Sequence, residues 1–123
     1  IGLLPGTIGP FVIKAMGEQA ARRYFVTAER FGAAEAHRIG FVHALAAPEA
    51  LDATVEGIVA SLLACGPAAV KASKRLVQDM AGQPITDALR AETARRIADI
   101  RASDEGKEGI SAFLAKRPPA WAG

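Results

Sequence analysis

The sequence predicts a mainly α fold in one domain, and three observations predict it. Apolar residues recur on a helical period along most of the chain, glycines and prolines interrupt that period at spacings suited to helix ends, and only scraps of strand-like sequence appear. With 123 residues, half of them apolar and 23% charged, the chain is long enough to bury one small core and too short for two.

The elements follow in order. Leu4-Pro5-Gly6-Thr7-Ile8-Gly9-Pro10 is turn chemistry, with glycines free to adopt positive φ between prolines that fix it. Pro10 suits the first turn of a helix running to Met16 and ended by Gly17. A second helix runs from Glu18 to about Ala28, with Ala21, Tyr24, Phe25 and Ala28 at helical spacing and Arg22 and Arg23 toward water. Phe31-Gly32 introduces a short helix, Ala33 to Ile39, closed by Gly40, and Phe41 to Leu45 reads as a brief extended segment. Pro48 opens the clearest helix, in which Leu51, Val55, Ile58, Val59, Leu62 and Leu63 form one apolar stripe. Gly66-Pro67 breaks it and starts another to about Met80, with Val70, Val77 and Met80 inward and Lys71, Lys74 and Arg75 outward. Ile85, Leu89, Ile97 and Ile100 mark a longer helix ending near Ala102. The last helix spans Asp104 to Lys116, capped by Ser103 or Asp104 and stopped by Pro118-Pro119.

Composition narrows the function classes. A formal charge of +2 and scattered Lys and Arg give no basic face for nucleic acid, and aromatic stacking platforms are scarce at 6% of residues. The single cysteine, Cys65, forms no intrachain disulfide or cysteine-based zinc cluster, which fits a reducing compartment and a cytoplasmic address. No apolar run is long enough to span a membrane, and the first residues do not read as a signal peptide. Ile1-Gly2-Leu3-Leu4, without an initiator Met, reads as the tail of a buried strand or turn already under way. The expectation is that the protein starts upstream, and that Ile1 to Ile8 need a core this chain does not supply.

Few residues present themselves for chemistry. Gly6-Thr7-Ile8-Gly9-Pro10 leads into a helix N-terminus, which favours negative charge, yet it lacks the Lys-Ser/Thr of a phosphate loop and, taken alone, reads as a plain tight turn. His37 and His43 stand in no pattern with a nucleophile or a metal ligand and read as surface or helix-end residues. Cys65, beside Gly66 at the end of an apolar helix, reads as a buried, inert thiol, and Lys71, Lys74 and Arg75 as a solvated face. Phe113 and Lys116, three residues apart, project from one helix face: they read either as a core ring with a terminal cation or as a stack for a nucleotide base with an ammonium for its phosphate.

Three segments in order resemble one family. These are Ile1-Gly2-Leu3-Leu4-Pro5-Gly6; the stretch Thr27-Ala28-Glu29-Arg30-Phe31-Gly32-Ala33-Ala34-Glu35-Ala36 continued by His37-Arg38-Ile39-Gly40-Phe41-Val42; and Glu108-Gly109-Ile110-Ser111-Ala112-Phe113-Leu114-Ala115-Lys116-Arg117-Pro118. They resemble the Gly-Leu-x-Pro-Gly loop, the T-x-x-x-F-x-A-x-E-A-x-x-x-G segment and the C-terminal signature of the enoyl-CoA hydratase/isomerase, or crotonase, family. Gly6-Thr7-Ile8-Gly9-Pro10 replaces that family's usual paired glycines and, with Arg22-Arg23-Tyr24-Phe25 and Ala28-Glu29-Arg30-Phe31, is similar to bacterial hydratases of the methylglutaconyl-CoA and carboxygeranoyl-CoA type.

The resemblance implies the C-terminal helical half of a fold whose N-terminal half is a spiral of ββα turns, assembled as a homotrimer or a hexamer. It implies an enzyme of acyl-CoA breakdown, in fatty-acid or branched-chain amino-acid catabolism, that uses coenzyme A only as part of its substrate and needs no other cofactor or metal. In such enzymes two backbone N–H groups hold the thioester oxygen as charge develops, and two glutamates add water across the α,β double bond. By the family pattern all of these lie before Ile1, so no catalytic residue is expected in this chain, which alone should be inactive. What remains is support: Pro5, Gly6 and Thr7 bordering the acyl group, and Phe113 and Lys116 reaching the CoA. An isomerase or another acyl-CoA lyase of the family fits the same residues, and so does a noncatalytic helical module that binds acyl-CoA or oligomerises.

Overall fold

The computed structural model describes residues 1–122. They form seven α-helices: α1 (Gly9–Met16), α2 (Glu18–Thr27), α3 (Ala33–Arg38), α4 (Leu51–Leu63), α5 (Pro67–Met80), α6 (Asp87–Ala102) and α7 (Asp104–Leu114). Short 3-10 turns occupy Pro48–Ala50 and Ala120–Ala122, and no strand occurs among the described residues. The chain divides into two compact units, Ile1–Leu51 with α1 to α3, and a second from Asp52 onward.

In the first unit Gly17 separates α1 from α2 with φ +83, a conformation that a Cβ would strain. Met16 and Ala21, 6% and 3% exposed, pack where the two helices meet. Helix α2 ends one residue before its expected limit, because Ala28 adopts the left-handed conformation (φ 53) with its N–H on Tyr24 O at 3.0 Å. At the end of α3, the Gly40 N–H donates to His37 O and the Phe41 N–H to Ala36 O, with Gly40 at φ +75. That pair of bonds is a Schellman closure. The extended segment expected from Phe41 to Leu45 is therefore a correction: Phe41 and Val42 both turn their N–H groups back to Ala36 O, and with no partner strand the segment bends instead.

From the end of the first unit onward the helix starts are set in different ways. Pro48 opens a 3-10 turn that feeds α4. Thr86 Oγ1 accepts the Leu89 N–H at 3.1 Å to start α6. Ser103 both ends α6 and starts α7, its Oγ accepting the Gly106 N–H at 3.0 Å. Helix α5 has no local cap: the Glu105 carboxylate, from the first turn of α7, accepts the Ala68 and Ala69 N–H groups at 2.9 and 2.8 Å. A negative group at a helix N-terminus satisfies two free donors and opposes the positive end of the helix dipole. Gly66 makes room for it, since a Cβ there would lie 2.5 Å from Glu105 Oε1.

The helical period is present, but much of its apolar side is not covered: Val70, Met80, Leu89 and Ile100 are half-buried. Leu51, Val55, Ile58, Val59, Leu62 and Leu63 on α4 are all exposed, and so are Val77, Ile85 and Ile97, the first of which the spacing places inward. Ile85 also precedes α6 instead of belonging to it. Among the described residues the buried apolar side chains are Met16, Ala21, Ala36 and Ala112, with no large side chain fully enclosed. An apolar stripe of this length exceeds what a monomer in water tolerates. The isolated chain should therefore self-associate and bind a hydrophobic dye such as ANS. Sedimentation showing a monomer at high concentration, without dye binding, would refute this.

Candidate functional site

The loop before α1 is closed by its own backbone. The Gly6 N–H donates to Leu4 O at 2.8 Å and the Gly9 N–H to Pro5 O at 2.7 Å, which folds Pro5 to Ile8 into a tight turn. Pro5, Gly6 and Thr7 are exposed, so the predicted binding residues of this unit form an open rim. Gly9 is buried, and a Cβ on it would sit 3.5 Å from Phe25 Cε2, so the first residue of α1 rests against the ring of Phe25 on α2.

Tyr24, next to Phe25 in sequence, joins a cluster that helical spacing does not reveal. Tyr24 Oη donates to Glu35 Oε1 at 2.6 Å, and Arg38 grips the same carboxylate with Nε on Oε2 at 2.5 Å and Nη2 on Oε1 at 2.6 Å. The Tyr24 ring packs on Phe31 at 4.4 Å between centroids, with the Arg23 guanidinium 5.2 Å from the Tyr24 centroid. The Arg38 guanidinium and the Tyr24 hydroxyl together hold the Glu35 carboxyl at about 2. Arg22 and Arg23 face water as expected, paired with Glu18 and Glu29.

In the second unit Phe113 and Lys116 do not share a helix face, which corrects the expectation from their spacing. Helix α7 ends at Leu114; Arg117 N–H reaches back to Ala112 O at 3.0 Å and Lys116 N–H to Phe113 O at 3.2 Å, leaving Lys116 left-handed at φ 52. This is a second Schellman closure, with a lysine where glycine is the common choice. Both side chains remain exposed within one turn of each other. After them Arg117 pairs bidentately with Glu108 at 2.6 and 2.8 Å, and the Ala120 N–H donates to the same carboxylate at 3.0 Å. Trp121 Nε1 then donates to Ala64 O at 3.2 Å, tying the tail to the end of α4. The Arg117 guanidinium and the Ala120 N–H hold the Glu108 carboxyl at about 2.

The remaining candidates stay apart. His37 and His43 are exposed, and no cluster of metal-ligating residues exists among the described residues. Cys65 corrects another expectation: its thiol is exposed, donating to Ser61 O at 3.3 Å, because the apolar end of α4 beside it is uncovered. Lys71, Lys74 and Arg75 lie outward on α5 as expected.

Glu35 and Glu108 give a pH dependence with a definite sign. Each is depressed from 4.5 to about 2 by partners present only when folded, so each contributes stability above pH 4.5 that is lost as pH falls toward 2. Solvent screening keeps the effect modest. Urea midpoints should fall across that window, and fall less for Glu35→Gln/Glu108→Gln; parallel pH curves for the two proteins would contradict the assignment.

Comparison with known proteins decides the family. The sequence model of the enoyl-CoA hydratase/isomerase family matches residues 1–123. The chain belongs to the enoyl-CoA hydratase/isomerase family. A crotonyl-CoA hydratase of Syntrophomonas wolfei is 33% identical over 118 residues, which are 95% of this chain and 45% of that protein. A 1,4-dihydroxy-2-naphthoyl-CoA synthase of Mycobacterium tuberculosis is 30% identical over 122 residues, 98% of this chain and 38% of that one. The crystal structure of an enoyl-CoA hydratase from Shewanella pealeana superimposes with a TM-score of 0.85 at 40% identity, covering 98% of this chain and 44% of that one.

The chain thus spans about half the length of the family members it matches. The C-terminal placement implied by the motif order is not upheld by these matches, which fix how much of each relative corresponds rather than which part. The helices described above superimpose on solved crotonase-fold proteins, and no single helix among the described residues is long and apolar enough to cross a membrane.

Proposed function

We propose that this chain is part of an enoyl-CoA hydratase, a cytoplasmic enzyme that adds water across the α,β double bond of an acyl-CoA thioester. The observation that carries the reading is the family match along the whole chain, together with 33% identity to a protein named for crotonyl-CoA hydration. The role of these residues in it is support. The exposed rim of Pro5, Gly6 and Thr7 borders the acyl group, and Phe113 and Lys116 meet the CoA, with the lysine's ammonium toward a phosphate. Coenzyme A enters as part of the substrate. The uncovered α4 stripe is where the rest of the relatives' length, or neighbouring subunits of a homotrimer or hexamer, would pack. The loop Gly6-Thr7-Ile8-Gly9-Pro10 supports a branched, carboxylated acyl chain of the methylglutaconyl or carboxygeranoyl type. A second reading, another crotonase-family lyase or isomerase, is favoured by the 30% identity to a naphthoyl-CoA synthase.

Left-handed Lys116 strengthens the case for its side chain. A non-glycine residue at that closing position costs about 1 kcal/mol relative to glycine, so the lysine sits where local stability alone would not select it. In the full-length protein Lys116→Ala should raise KM for an enoyl-CoA several-fold, with little change in kcat and less effect at high salt, the pattern of lost uniform binding. An unchanged KM at low salt, or a loss confined to kcat, would remove Lys116 from the CoA site.

A further inference from the structure

The binding rim of the first unit is built on a short path of contacts, and that path ends on a tyrosine. Gly9, which closes the Pro5–Gly9 turn through its N–H on Pro5 O, is seated on the ring of Phe25. Phe25 is followed back along α2 by Tyr24, whose hydroxyl crosses to Glu35 on α3 at 2.6 Å and whose ring packs on Phe31 at 4.4 Å. The connection between α2 and α3 otherwise runs through the exposed residues Ala28 to Arg30, of which Glu29 pairs back to Arg23 on α2. Glu35 is itself immobilised by the bidentate Arg38 of its own helix, so the phenol meets an acceptor fixed in place. Helix α2 is stiff over one turn, so the azimuth at which Tyr24 is held also sets where Phe25 presents its ring to Gly9.

We propose that Tyr24 is a positioning residue for the Pro5–Gly9 rim: its hydrogen bond to Glu35 fixes the rotation of α2, and Phe25 transmits that rotation to Gly9 and hence to the acyl group. The inference rests on the reading of that rim as the acyl border. It does not require Tyr24 to touch substrate. The phenol is the part of the path that a single oxygen atom controls, which makes the coupling separable from packing.

The test uses the full-length protein and compares Tyr24→Phe, which keeps the ring on Phe31, with Glu35→Gln, which loses charge but keeps an amide oxygen able to accept the phenol proton. Backbone amide exchange at Gly9, Phe11 and Val12 should quicken about fivefold in Tyr24→Phe, the scale of one part-buried hydrogen bond, and by less in Glu35→Gln, where an acceptor remains but the Arg38 grip on it is weakened. Exchange in α6 should not change. In steady-state turnover of crotonyl-CoA, Tyr24→Phe should raise KM several-fold with kcat nearly unchanged. Unaltered exchange at Gly9, or a uniform acceleration across both units, overturns the proposal, because the phenol would then act on global stability or on nothing. Faster exchange at Gly9 with unchanged KM would show the rim moving without serving the acyl group, and would overturn the assignment of Tyr24 to the site. A wild-type protein that turns over no enoyl-CoA would defeat the hydratase reading, and the exchange data would still decide whether Tyr24 controls the rim.

Discussion

Gly106→Ala should reduce the stability of the second unit by about 3 kcal/mol or more, the upper range for forcing a methyl group into packed structure. A Cβ at this position would lie 2.2 Å from Ile100 O and 3.1 Å from Arg101 Cα. Those are backbone atoms, so relief requires moving the helix rather than turning a side chain. Ile100 O is also committed: it accepts the Ser103 N–H at 3.2 Å and the Ser103 hydroxyl at 2.6 Å, the bonds that end α6. Gly106 in turn gives its N–H to Ser103 Oγ, so α6 and α7 are joined by one residue at a corner too tight for a side chain. Gly57, in α4 with nothing within 4 Å of the place a Cβ would take, supplies the contrast. Gly57→Ala should stabilise by about 0.5–1 kcal/mol through helix propensity alone. Urea unfolding of the two variants beside wild type checks both signs, and a Gly106→Ala protein as stable as wild type would show that the corner opens freely.

The comparison of these two glycines shows what is readable in the sequence. Helix existence is readable, because the stripe from Leu51 to Leu63 and the breaks at Gly17, Gly66-Pro67 and Pro118-Pro119 are local signals, and helices lie at each of the expected places. The difference between Gly57 and Gly106 is not, since both stand inside helices and only the return of the chain from α6 to α7 brings Ile100 O to one of them. Burial escapes the sequence for a related reason. Periodicity identifies an apolar face but cannot say how much of it is covered, and Val77 and Ile97 stay largely exposed.

The site is legible to a similar depth. The turn at Pro5 to Gly9 follows from proline and glycine chemistry, whereas its seat on Phe25 depends on how α1 crosses α2. Phe113 and Lys116 do lie at the surface, but their three-residue spacing presumes a helix that the backbone has already left, through the closure at Lys116. Tyr24–Glu35 and Glu105 with Ala68 and Ala69 join residues 11, 37 and 36 positions apart, beyond any local pattern. The signal that points to Glu105 is the missing cap: α5 opens at Gly66-Pro67 with no Ser, Thr, Asp or Asn to accept its free N–H groups, so an acceptor from elsewhere is required.

The 123-residue chain by itself should give no hydration of crotonyl-CoA or methylglutaconyl-CoA above a buffer control. Addition of water at neutral pH needs a carboxylate free to take a proton and an acid able to give one, each with a pKa drawn toward the working pH. The carboxylates engaged most strongly here move the other way. Glu35, Glu92 and Glu108 are all lowered, held first by Arg38, Arg96 and Arg117 respectively, so each is committed to an ion pair. The residues of the rim offer no substitute, since Pro5, Gly6 and Thr7 carry no ionisable side chain, and the part-buried carboxylate of the same unit, on Glu35, is occupied. The decisive measurement is turnover by the purified chain alone and then by a protein of the relatives' full length containing it. Activity confined to the longer protein would agree with a supporting role for these helices. Turnover by the chain alone, abolished by changing one of its own acids, would place the chemistry inside these helices and overturn the reading of Pro5 to Thr7, Phe113 and Lys116 as supports only.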